Sequence, residues 1–256
     1  MATLPGSSVW TGGAAVDEGA FLAACRQVIE APSRSGGIGT LGEKTLHAAL
    51  KLCLEPREGC REVLVGRFVA DILNEEGVTE IQTSGFGRLR EKLAFYLEAY
   101  PVRLVYPVAG IKWLVNVGPD GAAAPRRKSP KPEGPWQILP ELAAVKEYLG
   151  HPGLRLLVPV LEVEEYRLRD GKGRRGYTRW ERMPVRLLDQ TAVEGPQEAG
   201  KLLPPGLLEE FTAKEFQKAG RFSPMQGSLA LSAAKALGVV ERIGNRGRAY
   251  LYRRAE

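Results

Sequence analysis

Two β-rich runs, residues 67–73 and 78–83, are separated only by Asn74, Glu75, Glu76 and Gly77, a spacing that forces a tight hairpin. With 74–77 as the loop, Leu73 faces Val78, Ile72 faces Thr79 and Asp71 faces Glu80. Strand alternation then places Asp71, Glu80 and Gln82 on one face, with Phe68, Ile72 and Ile81 on the other. Two carboxylates held directly opposite repel by up to about 1 kcal/mol unless a cation lies between them. Oxygen ligands of this kind suit Mg²⁺ or Mn²⁺, which keep several waters and can share a substrate phosphate.

The flanking segments are equally regular. Upstream, Thr40 and Glu43 have capping-box spacing, and Leu46, Ala49, Leu50 and Cys53 continue a helical stripe that Pro56 and Gly59 stop. Residues 61–65 read as a strand. After the hairpin, Leu89, Leu93, Tyr96 and Leu97 stripe a helix over about 85–100, which Pro101 ends. Residues 102–108 suit a buried strand and 111–117 another. Prolines 119, 125, 130, 132 and 135 surround Arg126, Arg127 and Lys128, so 119–135 reads as a loop. A helix is expected over 136–149, long strands over 154–168 and 177–188, and an interdomain linker over 189–206. Residues 1–37, rich in Gly, Ala and Ser, read as a flexible, peripheral arm with one short helix over 17–30.

The order helix, strand, strand, strand, helix, strand across 42–108, with Asp71 near the end of the second strand and Glu80-Ile81-Gln82 on the third, resembles the PD-(D/E)XK nuclease superfamily. The resemblance implies an α/β fold: a restriction endonuclease-like mixed sheet flanked by helices over 38–195, with its core at 42–118 and an extension at 136–188. It assigns catalysis to Asp71, Glu80, Gln82 and Glu43, with Asp71, Glu80 and Glu43 holding Mg²⁺ or Mn²⁺ and a metal-activated water attacking a phosphodiester. The sequence departs from the family at Gln82, where a lysine is usual, and at Ala70, where proline is usual. Glutamine can orient water but supplies no charge; Lys44 is a candidate to restore it. Two readings therefore stand, a metal-dependent DNA endonuclease and a catalytically inactive DNA-binding or regulatory protein on the same scaffold.

The C-terminal stretch has its own signals. Thr212 and Glu215 form a second capping box; Ser223, Pro224 and Gln226 open another helix, filled by Leu229, Leu231, Ala234 and Leu237 and stopped by Gly238. Residues 239–243 and 248–253 read as strands around the turn 244–247. Helix, turn, helix and ribbon resemble the winged helix-turn-helix family, which implies an α+β winged-helix domain at 200–256. From Lys201 to Glu256 there are ten Lys and Arg against five Glu and no Asp. By resemblance, Ser223, Gln226 and Ser228 approach a DNA groove while Arg242, Arg246 and Arg248 meet phosphate; docking on protein is the other use of such a unit. Arg126, Arg127, Lys128 and the basic stretch 172–182, interleaved with Trp136, Tyr177 and Trp180, suit phosphate contact and base stacking.

A formal net charge of +6 favours a polyanionic partner, here DNA, whether duplex, branched or single-stranded. No apolar run reaches the roughly 20 residues that span a bilayer, and no signal-peptide pattern opens the chain, so a cytoplasmic location without a membrane partner is expected. Cys25, Cys53 and Cys60 form no CxxC pair, and neither His47 nor His151 completes a zinc-finger spacing. They read as structural thiols of a reducing compartment. A homodimer stays open, since no surface in the sequence marks one.

Overall fold

The computed structural model describes residues 15–30, 45–131, 133–173 and 176–255. Helices α1 (Glu18–Glu30) and α2 (Thr45–Leu54) precede three strands, β1 (Arg61–Val65), β2 (Phe68–Asn74) and β3 (Gly77–Ile81). These form an antiparallel meander, β2 meeting β3 at Ile72↔Thr79, Leu73↔Val78 and Asn74↔Gly77. The hairpin turn is the one the sequence demands. Gly77 has φ +115°, and a Cβ there would lie 2.3 Å from the carbonyl oxygen of Pro101, which accepts a hydrogen bond from Val78 N. Only glycine permits that approach.

A 3-10 turn (Phe86–Leu89) and helix α3 (Arg90–Tyr96) then carry the chain back, so that β4 (Val102–Val105) lies parallel to β3. Strand β5 (Val108–Val117) follows almost at once, and the two-residue β6 (Arg127–Lys128) pairs with it. Next come a 3-10 turn (Pro135–Ile138), the short α4 (Leu139–Leu142) and a second 3-10 turn (Ala143–Tyr148). Strand β7 (Leu154–Leu168) is parallel to β4 in its first half and to β5 in its second; the register carries over unchanged as far as Ala109↔Leu161 and then shifts by one residue at Gly110, so β4 and β5 form one interrupted ladder along it. Strand β8 (Thr178–Val193) runs antiparallel to β7 for nearly its full length. The result is a mixed eight-stranded sheet with helices on its faces.

Each face has its own core. On one, α1 and α2 bring Phe21, Leu46, Ala49 and Leu50 against Ile72, Ile81, Val105 and Leu157. On the other, Phe86, Leu89, Leu93 and Tyr96 cover Ala70, Val78, Val102 and Leu104. This second core runs without a break into the C-terminal part. There, β9 (Glu210–Thr212), α5 (Ala213–Ala219), α6 (Pro224–Ala236), β10 (Val240–Arg246) and β11 (Ala249–Arg254) make a three-stranded sheet in the order β10–β11–β9 under two helices. Both expected capping boxes form, at Thr212/Glu215 and Ser223/Gln226. Helix α6 packs on α4, where Ile138, Leu139 and Leu142 join Phe216, Ala230 and Ala234 in one cluster. Trp136 Nε1 and Gln137 Nε2 both donate to the carbonyl of Gly220, at 3.2 and 2.8 Å.

Several expectations need correction. The helix within the N-terminal arm is present, but 15–30 are not peripheral: Phe21 is fully buried, and Val16 N donates to Gln190 Oε1 at 2.7 Å. Residues 189–206 are not a linker, since β8 runs to Val193 and a 3-10 helix (Pro196–Leu202) buries Ala199 and Leu202. The helix expected over 136–149 is mostly 3-10, consistent with Pro140, which has no N–H, and with the non-helical φ of −125° at Val145. The Thr40 capping box lies outside the described residues. Among the described residues no helix is long and apolar enough to cross a membrane.

Because the two parts share a core, Leu139→Ala should cost about 2–5 kcal/mol, as expected for a buried leucine. Urea unfolding followed by tryptophan fluorescence and circular dichroism should give one coincident transition, not two.

Candidate active site

Strand β2 changes character at Asp71. Residues two apart in a regular strand share a face, yet Ala70 packs in the α3-side core and Ile72 in the α2-side core. The β2–β3 ladder accordingly begins at Ile72↔Thr79, one residue short of Asp71 and Glu80. Phe68 packs on the α3 side with Phe95 and Tyr96, not on the face of Ile72 and Ile81.

The Asp71 carboxylate and His47 together take up the Ile81 N–H and C=O that a continuing ladder would have used. Asp71 Oδ2 accepts from Ile81 N at 2.8 Å and lies 3.3 Å from Nε2 of His47, on α2. The same Nε2 is 2.9 Å from the carbonyl oxygen of Ile81. Both partners are acceptors, so Nε2 carries the proton. Burial opposes the charge on Asp71, but the His47 hydrogen bond and the Ile81 amide outweigh it and hold the carboxyl below its usual value. Asp71 Oδ1 has no hydrogen-bond partner among the described residues.

Glu80 points to the opposite helix. It is completely buried, and Lys92 Nζ on α3 donates to Oε1 at 2.9 Å, to Oε2 at 3.0 Å and to the carbonyl of Val69 at 2.7 Å. Burial, reinforced by the charge of Asp71, pushes the Glu80 carboxyl up to about 7 despite Lys92. The two carboxylates therefore sense each other, although their hydrogen bonds lead to different helices. The hydroxyl of Tyr96, also on α3, has no hydrogen-bond partner among the described residues, and its ring is fully buried. Burial and then the charges of Glu80 and Asp71 raise its pKa.

Gln82 follows directly, half-buried, with its amide N bonded to the Val105 carbonyl. Glu43 and Lys44 lie outside the described residues. Among the described residues, no group of three His, Cys, Asp or Glu side chains is placed to hold a metal. Lys92 and Tyr96 escaped sequence reasoning, yet a signal was present. Leu89, Lys92, Leu93 and Tyr96 are spaced as one helical stripe, and a lysine inside an apolar stripe needs a buried counter-charge.

The other candidate residues lie elsewhere. Arg126, Arg127 and Lys128 are exposed on or beside β6, at the opposite end of the strand order from β1; Arg126 stacks over Trp113 and pairs with Glu164. Ser223 and Gln226 bond each other in their capping box, while Ser228 is exposed on α6. Arg242 stacks on Tyr250, Arg246 pairs with Glu215, and Arg248 is exposed. The cysteines are free, and burial pushes Cys25 up to about 12 and Cys53 to about 11, disfavouring reactive thiolates.

A mixed α/β sheet with an acidic pair between two flanking helices is the class that this geometry defines. The family described as a domain of unknown function, DUF8091, matches residues 44–194, and the chain belongs to that family. An uncharacterized protein of Treponema pallidum (strain Nichols) is 31% identical over 221 residues, covering 85% of this chain and 87% of that protein. No solved structure matches.

The raised Glu80 makes a pH test possible. A carboxyl that binds its proton more tightly when folded adds no penalty below the ordinary carboxylate range; the penalty grows as pH rises and is complete above about 7. Glu80→Gln should therefore gain on the parent, by up to about 3 kcal/mol more at about pH 8 than at about pH 4. Urea unfolding at the two pH values measures the difference.

Proposed function

We propose that the mixed sheet with α2 and α3 is a metal-dependent deoxyribonuclease domain of the PD-(D/E)XK kind, carrying a winged-helix unit at its C-terminal end. The order α2, β1, β2, β3, α3, β4, with antiparallel pairing up to β3 and parallel pairing after it, supports the first assignment. For the second, the support is the three-stranded sheet β10–β11–β9 with α5 and α6 between its first two strands in sequence. One observation carries the catalytic reading: Lys92 delivers from α3 the positive charge that Gln82 lacks, and delivers it to Glu80.

The donor chemistry fits Mg²⁺ or Mn²⁺, which bind through one or two carboxylates plus waters and substrate phosphate. Asp71, with one oxygen uncommitted, and Glu80 would hold the ion, joined by Glu43; the unpartnered Tyr96 hydroxyl beside both acids marks polar capacity there that the protein leaves unused. When bound, such an ion lowers the pKa of a coordinated water and offsets charge on the phosphate. Lys92 would turn from Glu80 towards the attacked phosphate, His47 keeps Asp71 ionised and oriented, and the Gln82 amide positions water.

With Mn²⁺ or Mg²⁺, the full chain should cleave plasmid or single-stranded DNA, and chelation or Asp71→Ala should abolish this. Lys92→Met should slow turnover by about 10²-fold or more, the scale of losing a positioned acid–base or charge-bearing group. Unchanged cleavage by Asp71→Ala would overturn the assignment. A second reading, a DNA-binding protein on an inactive scaffold, is favoured by the occupation of both Glu80 oxygens by Lys92. It requires salt-dependent DNA binding without metal-dependent turnover.

A further inference from the structure

Beside the acidic pair, Leu46 of α2, Thr83 just past β3, and Arg179, Trp180, Glu181 and Arg182 of β8 line a common cleft. Thr83 is three residues beyond Glu80, about 10 Å along an extended chain. The cleft thus opens next to the candidate active site, although β8 is remote in sequence.

Its lining carries two arginines against one glutamate. Arg167 on β7 stands directly opposite Arg179 on β8, and Glu165 opposite Arg182. The buried Glu165 carboxylate is already divided between Arg167 at 2.6 Å and Arg182 at 3.1 Å. Arg179 forms no hydrogen bond or ion pair among the described residues. Like charges directly across a strand pair destabilise it; Glu165 and Glu133 offset part of this repulsion from a distance, without a hydrogen bond or ion pair to Arg179. Although the Arg179 side chain is open to solvent, the protein crowded around it and the charge of Arg182 lower its pKa. An anion in the cleft would offset the repulsion among these arginines.

We propose that Arg179, backed by Arg182, binds a backbone phosphate of the nucleic-acid strand engaged at Asp71 and Glu80, with Trp180 offering its ring to an adjacent base. This rests on the nuclease reading above for the identity of the strand. Guanidinium groups grip phosphate through paired N–H donors, and an aromatic ring beside them gives a stacking surface that tolerates any base.

The test is fluorescence anisotropy of the 256-residue chain with a labelled single-stranded oligonucleotide in metal-free buffer, across a series of KCl concentrations. The slope of log affinity against log salt should become shallower by about 0.7 in Arg179→Ala, the loss of one phosphate contact on a single strand. Affinity at low salt should fall several-fold. Arg179→Lys should keep the parent slope, and Trp180→Ala should weaken binding without changing the slope. An unchanged slope in Arg179→Ala, or no binding by the parent protein, would overturn the proposal. Cleavage by the parent with an unchanged Arg179→Ala slope removes the cleft and spares the nuclease; a lowered slope in a parent that never cleaves does the reverse.

Discussion

A glutamate with no exposure to water can remain charged only against a cation, and here that cation is Lys92. The pair ties β3 to α3 across the sheet face, while Lys92 also grips the Val69 carbonyl and so reaches β2. One ammonium thus joins the helix to two strands at the point where β2 and β3 part. On the other face, His47 fastens α2 to Asp71 and to the Ile81 carbonyl. The two acids are clamped from opposite sides, and their mutual repulsion is held in place by residues that a hairpin alone would not supply.

Much of this was legible beforehand because it depends on local chemistry. Gly77 announces the turn, Pro101 ends the helix, and Thr212/Glu215 and Ser223/Gln226 declare their caps; each requirement is met by residues a few positions apart. The acids were identified by residue type, but their orientation was read from strict alternation. Ala70 and Ile72 entering different cores breaks that alternation, and nothing local encodes it. The change is decided by how α2 and α3 press on the two faces. Lys92 was hidden for a related reason, since its counter-charge lies on another element.

Boundaries between parts were less legible than elements. Residues 189–206 have the Pro, Gly and polar content of a connection, yet most of the stretch is strand or 3-10 helix with Ala199 and Leu202 buried. Composition reports what a segment can do alone, whereas burial here depends on neighbours contributed by β8 and the Pro135–Ile138 turn. The same holds for Phe21, whose helix packs on α2 and on β8, both distant in sequence.

The packing of α6 on α4 has a mechanical consequence. With Trp136 and Gln137 both gripping Gly220 and a continuous core behind them, swinging the C-terminal sheet would expose buried apolar surface and break both hydrogen bonds. Its orientation toward the acidic pair is thereby tied to the packing of the sheet domain. A long, stiff ligand touching both would meet them at a spacing that this packing sets, and altering that spacing would cost the buried contacts.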